Sequence, residues 1–154
     1  MKNRILLLVF TLITFNSFSQ NLSLSELLKI REMSNGQVKD YLTSKGWGFL
    51  QGTEETEEDY ASSFFNYGQD AVIKYSYSTE GIELLSIGFR KKEKYSQYLA
   101  EIKKIGGALV DSKVEYGDLV EYYKNAILTF KVVTRISENS FGEKSTSYSI
   151  IISD

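Results

Sequence analysis

The sequence predicts an α+β fold, an antiparallel sheet made of two helix-plus-meander halves with the helices packed on one face. Three patterns indicate it: a hairpin over residues 71–90, further strands that alternate apolar and polar residues, and an amphipathic helix ahead of each group of strands. The chain has 154 residues, of which 42% are hydrophobic and 14% aromatic, a composition sufficient for one core.

Residues 1–19 have the pattern of a secretory signal peptide. Two basic residues precede an apolar run over residues 5–15, and small residues follow at Ser17 and Ser19. We expect cleavage after Ser19 and a periplasmic or extracellular protein with a single domain over residues 20–154. The alternative is an uncleaved anchor, which the short apolar run disfavours.

Two short helices are predicted next from their capping patterns. Ser23 and Glu26 form a capping box, in which each side chain hydrogen-bonds the backbone amide of the other residue. Ser34 and Gln37 repeat this pattern, and Gly46 is placed to end the second helix in the left-handed conformation.

Strands are then predicted over residues 47–50 and 60–67. Between them, residues 54–59 include five acidic side chains, whose mutual repulsion favours a solvated loop. Calcium binding is the alternative for these oxygens, but the segment lacks the ligand spacing and the glycine of a calcium loop.

The hairpin can be predicted to its register, because only one register keeps its main apolar set on a single face, with Val72 and Leu84 on the other. A three-residue loop over residues 79–81, with Gly81 left-handed, produces that register. The predicted pairs are Tyr75 with Leu85, Ile73 with Ile87, and Ala71 with Phe89. We expect the opposite face to be partly solvated.

A second helix-and-strand unit follows. Apolar residues from Tyr95 to Ile105 recur on one helical face, and Gly106 and Gly107 end that helix. Further strands are predicted over residues 108–110, 119–123, 126–136 and 145–152. The same order of elements thus occurs in residues 35–90 and 92–153, which suggests an internal duplication. The alternative is that both halves merely share a common α+β arrangement.

Two resemblances follow from these segments. The export signal, the acidic loop and residues 41–47 and 94–99 resemble a group of small uncharacterised secreted proteins of Gram-negative bacteria. The tandem helix-plus-four-strand order is similar in outline to the β-lactamase inhibitor protein family, whose duplicated domain binds enzymes through a concave sheet. That family has disulfides and this chain has no Cys, so we transfer only the architecture and no inhibitory residue.

The composition argues against most catalytic chemistry. Without His or Cys, the chain lacks the commonest general base and the usual transition-metal ligands. We therefore expect no catalytic residue, no cofactor and no metal, and a protein that is not an enzyme. The alternative is a hydrolase of envelope glycans that uses carboxylates such as Asp118 and Glu121.

The charge pattern narrows the class of partner. A net charge of −2 with no basic stripe argues against nucleic acid and against an anionic membrane surface. We expect no membrane span after signal cleavage. The basic run over residues 90–94 either meets an acidic partner or stays hydrated.

Aromatic content supplies the functional hypothesis. Eleven Tyr are more than one small core accommodates easily, because each buried hydroxyl needs a hydrogen-bond partner. Tyr60, Tyr67, Tyr122 and Tyr123 lie on predicted strands or turns and are our candidate binding residues for an unknown protein partner. We expect an inhibitor- or immunity-like role. The alternatives are that these tyrosines belong to the core and its rim, or that the protein is structural and has no discrete ligand.

Overall fold

The computed structural model describes residues 22–53, 61–68, 70–78 and 81–153. Across these ranges the chain forms three helices and one eight-stranded antiparallel sheet, so the predicted α+β class is confirmed. The helices are α1 (Leu24–Arg31), α2 (Asn35–Ser44) and α3 (Lys92–Lys104). The strands are β1 (Gly48–Thr53), β2 (Ala61–Tyr67), β3 (Ala71–Ser78), β4 (Gly81–Phe89), β5 (Ala108–Glu115), β6 (Asp118–Lys124), β7 (Thr129–Glu138) and β8 (Lys144–Ser153). The predicted signal peptide, residues 1–19, and the acidic segment, residues 54–59, lie outside the described residues.

The strands follow the spatial order β1-β2-β3-β4-β8-β7-β6-β5. Each half is therefore a four-stranded meander, and the halves join where β4 pairs with β8 in the middle of the sheet. The edge strands are β1 and β5. Because one continuous sheet spans both halves, the chain has a broad face on each side of a single layer.

All three helices pack against the same face of this sheet. The core combines Ile30 of α1, Leu42 of α2 and Ile102 of α3 with inward-facing strand residues such as Ile73 and Phe130, all of them fully buried. The burial of apolar surface in such a core stabilises the fold by about 25 cal/mol per Å² and is its main contribution to stability. The opposite face of the sheet carries no helix from the described part of the chain.

The predicted capping patterns occur at both helices. At α1 the Glu26 amide donates to the Ser23 hydroxyl at 3.3 Å, and the Ser23 amide donates to the Glu26 carboxylate at 2.8 Å. At α2 the Ser34 amide donates to the Gln37 side-chain oxygen at 2.9 Å. Gly46 follows that helix with a φ of 84°, as predicted for a helix-ending glycine.

The predicted hairpin register is confirmed, although the loop differs from the prediction. Tyr75 pairs with Leu85, Ile73 with Ile87, and Ala71 with Phe89. However, Gly81 already lies in β4 and pairs with Ser78, so the connection is one residue shorter than expected. The extra residue is instead absorbed as a register shift opposite Ser76 and Tyr77, a bulge that restores the same pairing below it.

The second half differs from the prediction in its strand ends. One continuous strand, β5, covers residues 108–115, where only residues 108–110 were predicted. Residues 126–128 form a turn rather than the start of a strand, because the Asn125 side chain accepts hydrogen bonds from the amides of Ile127 and Leu128 at 2.9 and 2.8 Å. Strand β7 ends at Glu138 instead of residue 136, and β8 is one residue longer than predicted at each end, leaving a short loop at residues 139–143.

The halves agree in local geometry as well as in order. After α2 and after α3 a glycine has a φ of 84° or 87°, and the next amide donates to the carbonyl of Leu42 or Ile102 at 3.0 or 2.9 Å. Each following strand then contains a register shift, at residues 49–51 in β1 and at residues 109–111 in β5.

Cross-strand rows extend this correspondence to the centre of the sheet. The rows are Phe49–Phe65–Ile73–Ile87 in one half and Leu109–Tyr123–Phe130–Ile152 in the other. Ile87 thus corresponds to Ile152, and Leu85, two residues earlier, to Ile150. Where the halves meet, Leu85 pairs with Ile152 and Ile87 with Ile150. Exchanging the halves turns one of these pairs into the other, which is the pairing expected around a two-fold axis.

Gly107 is the position where the end of α3 leaves no room for a side chain. A Cβ there would lie 2.6 Å from the Ile102 Cγ2 atom and 2.8 Å from the Ile102 carbonyl oxygen. We expect Gly107→Ala to lower the free energy of unfolding by about 1–2 kcal/mol, measured by urea denaturation. Gly36→Ala in α2 is the matched control, since no atom lies within 4 Å of the added Cβ, and it should raise stability by about 0.5–1 kcal/mol. Equal effects of the two substitutions would contradict the close packing at Gly107.

Candidate functional site

We call the sheet face opposite the helices the open face. One row of residues crosses it through the middle strands and consists of small or apolar side chains: Val72, Gly88, Ser149, Val133 and Val120. The neighbouring row toward one end of the sheet is polar, with Arg135 of β7 beside Ser147 of β8 and Arg90 just after β4. These two rows lie on strands of both halves, so both halves contribute side chains to the centre of the open face.

A depression of about 340 Å³ lies over these two rows. Its floor includes Val72, Gly88, Ser149 and Val133, and its polar rim includes Arg90 and Arg135. This volume is at the lower end of the roughly 300–1,000 Å³ typical of ligand pockets. Since Gly88 has no side chain and Ser149 a short one, the floor is low in the centre of the sheet.

Two carboxylates near the rim, those of Asp118 and Asp70, form ion pairs. Arg135 donates two hydrogen bonds to Asp118 Oδ2, from Nε at 2.9 Å and from Nη2 at 2.6 Å. This arrangement lowers the pKa of the Asp118 carboxyl, so that it stays ionised. On the other side Lys91 donates to Asp70 at 2.9 Å. Arg90, by contrast, forms no ion pair with any residue that the structure describes.

Next to the depression, a charged cluster covers the open face over β5, β6 and β7. Lys131 and Lys113 donate to the two oxygens of Glu115 at 2.9 and 3.0 Å, and the Tyr122 hydroxyl donates to it at 3.2 Å. The hydrogen bonds from Lys131 and Lys113 lower the pKa of the Glu115 carboxyl to about 2. Val120 is only 2% exposed although it faces away from the helices, and its cross-strand partner is Lys113 of this cluster.

The four predicted binding tyrosines have different positions. Tyr122 lies on the open face, where both lysine ammonium groups of the charged cluster approach its ring, at 5.1 and 5.6 Å from the centroid. Tyr123 points to the helices and is 3% exposed, so its prediction as a surface residue is wrong. The reason is the alternation of β6, which sends neighbouring side chains to opposite faces. Tyr67 belongs to β2 by its backbone, and Tyr60 lies outside the described residues.

The carboxylates considered for hydrolysis cannot act as a pair. Asp118 lies on the open face, whereas Glu121 faces the helix side and accepts hydrogen bonds from the Tyr95 and Tyr123 hydroxyls at 2.9 and 3.2 Å. A sheet layer separates them, so they cannot flank one glycosidic bond. Within the described ranges, no three acidic side chains are grouped as metal ligands.

Sequence reasoning missed the residues that form the depression. Gly88, Arg135 and Ser149 lie within the predicted hairpin over residues 71–90 and the predicted strands over residues 126–136 and 145–152, and the sequence pattern indicates no functional role for them. The basic run that begins at Arg90 was the one signal that pointed to this region. Which strand lies beside which decides the site, and β4 pairs with β8 across about sixty intervening residues.

Comparison with known proteins adds no information about this site. No protein family, curated protein or solved structure matches the chain. None of the three helices in the described part of the chain has the length and apolar character needed to cross a bilayer.

Proposed function

We propose that this chain is an exported, non-enzymatic binding protein that recognises a protein partner through the open face. The observation that carries the proposal is that the three helices of the described ranges lie on one side of the sheet, so none of them covers the other side. A depression at the centre of that side, lined by backbone, small side chains and guanidinium groups, is a suitable place for a partner's side chains.

The charged cluster supports a recognition role for the adjoining surface. Its lysine side chains are oriented by hydrogen bonds to Glu115, which lowers the entropy that is lost when a partner contacts them. Tyr122 adds rigid aromatic area of the kind that is enriched at interfaces. An inhibitor- or immunity-like role fits a small exported protein of this design, and the pattern of residues 1–19 supports export.

We also infer that the two halves arose by duplication. The shared helix ends, the shared register shifts and the interchangeable pairing of β4 with β8 support this origin. A fused pair of half-domains produces one sheet with two outer edges and a single central floor.

Ser149→Arg tests the proposed face. A long cationic side chain on the floor would fill the depression, whereas Ser96→Arg puts the same side chain on the exposed side of α3. We expect immobilised residues 20–154 to retain a partner from an envelope extract, identified by mass spectrometry. Binding of that purified partner should weaken at least tenfold with Ser149→Arg and be unchanged with Ser96→Arg, measured by calorimetry.

Two outcomes would contradict the proposal. One is a partner that binds Ser149→Arg as tightly as the unchanged protein but loses affinity for Ser96→Arg, because this would place the interface on the helix side. The other is turnover of an envelope glycan by the purified chain, which would indicate the hydrolase instead.

A further inference from the structure

Gly88 lies in the middle of the sheet without a structural need for glycine. Its φ is not in the left-handed range, and an added Cβ would meet only ordinary contacts, 3.8 Å from the Tyr148 carbonyl oxygen and 4.0 Å from that of Val72. A glycine inside a strand costs roughly 0.5–1 kcal/mol relative to alanine. Such a residue often marks a place where a ligand or another backbone comes close to the strand. Gly88 therefore points to an occupant of the depression.

Arg90 identifies the charge of that occupant. It lines the same depression and has no acidic partner among the described residues, while Asp70 and Asp118 are both neutralised by other cations. Arg135 uses Nε and Nη2 for Asp118, which leaves Nη1 available, and its side chain is 63% exposed. The rim thus has one uncompensated guanidinium beside a second that keeps donor capacity.

We propose that the depression binds a carboxylate side chain within an extended segment of the partner protein, with Arg90 as the anchoring cation. This inference rests on the proposed function and specifies the chemistry of the partner. A carboxylate carries the single negative charge that one free guanidinium matches. A phosphate would bring about one additional charge close to Asp70 and Asp118.

The floor of the depression indicates the length and the neighbouring side chains of the bound partner segment. The row Val72–Gly88–Ser149–Val133 crosses four neighbouring strands, a distance of about 14 Å at roughly 4.8 Å between strands. An extended chain covers that distance with about four residues. Because Val72 and Val133 lie at the two ends of the row, the segment would place apolar side chains on either side of the acidic one.

A peptide titration tests this proposal. The probe is a capped hexapeptide of alternating Glu and Val, added to the ¹⁵N-labelled protein, and the control is the same peptide with Gln for Glu. We expect the amide signals of Gly88, Arg90, Ser147 and Ser149 to shift saturably with the Glu peptide, at a Kd at least tenfold lower than with the Gln peptide. Affinity should fall as salt is raised, because an exposed pair is screened.

Three variants test the contributions of Arg90 and Gly88 to peptide binding separately, with Lys104 as the control. Arg90→Gln should weaken the Glu peptide about tenfold, while Lys104→Gln, which removes one charge from the end of α3, should not. Gly88→Ala should also weaken binding about tenfold, and yet should not lower the melting temperature, because the added Cβ has room. A role of Gly88 in stability alone predicts the reverse pattern.

The proposal is overturned if the shifts cluster on the helix side, or if Arg90→Gln and Lys104→Gln reduce affinity equally. It is also overturned if inorganic phosphate displaces the peptide at equal concentration, which would indicate a site for free anions. The proposed function can be distinguished from it: a partner that is lost with Ser149→Arg but keeps its affinity for Arg90→Gln supports the open face and rejects the carboxylate.

Discussion

Replacing Tyr123 with Ala should lower the free energy of unfolding by about 3–5 kcal/mol, the range measured when a large aromatic side chain is removed from a core. Tyr123 is 3% exposed, pairs across the strands with Phe130, and donates its hydroxyl to Glu121. The substitution therefore removes packing and leaves a partly enclosed carboxylate with one donor fewer. Urea denaturation followed by circular dichroism measures the change.

Tyr122→Ala is the matched control for this prediction, because it removes the same side chain from the next position of the same strand. Tyr122 lies on the open face and contributes one hydrogen bond to Glu115 and contacts with two lysine ammonium groups. We expect a loss of only about 1 kcal/mol. Equal destabilisation by both substitutions, or a larger effect at Tyr122, would contradict the assignment of the two faces.

Glu26→Gln should lower the free energy of unfolding by about 2 kcal/mol at pH 7. Burial disfavours the charged form of Glu26, but hydrogen bonds from Lys45, the Ser23 amide and Tyr41 outweigh it and lower the pKa from 4.5 to about 2. A shift of that size corresponds to roughly 3 kcal/mol, and screening of the partly exposed pair with Lys45 reduces it. The contact ties α1 to the end of α2, so its loss loosens both helices.

The dependence on pH follows from the lowered pKa. In the unfolded chain Glu26 takes up a proton near pH 4.5, whereas in the folded chain it does so near pH 2. The stability that Glu26 contributes is therefore present above about pH 4.5 and is lost as the pH falls toward 2. Urea denaturation at pH 7 and pH 2.5 should show the difference between Glu26→Gln and the unchanged protein shrinking at the lower pH. A difference that is the same at both values would contradict the role of the charge.

The fold was predictable wherever local chemistry determines it. Capping side chains at Ser23 and Ser34 marked two helices, and alternation over residues 71–90 determined a register. The prediction failed at β5, whose charged residues suggest a loop, because Asp111 and Lys113 face solvent on an edge strand. It failed again at Asn125, where a side chain that accepts two backbone hydrogen bonds ends a run that otherwise looks like a strand.

The candidate site was harder to predict from the sequence than the fold. Tyr122 and Tyr123 are adjacent, and only the position of the turn after β6 decides which of them faces the helices. Gly88 and Arg135 come together through the pairings of β4 with β8 and of β8 with β7. The sequence of one strand does not indicate which strand lies beside it, so a search for local motifs cannot find the depression.

The placement of β8 between β4 and β7 also has a consequence for how the chain folds. The first four strands can form their meander as soon as they are made, but β4 remains an unpaired edge until residues 144–153 arrive. Closing a loop of that length before any contact rewards it slows folding. Until then Leu85 and Ile87 lack half of their cross-strand neighbours, so the first meander keeps an open hydrogen-bonding edge that the last strand of the chain must cover.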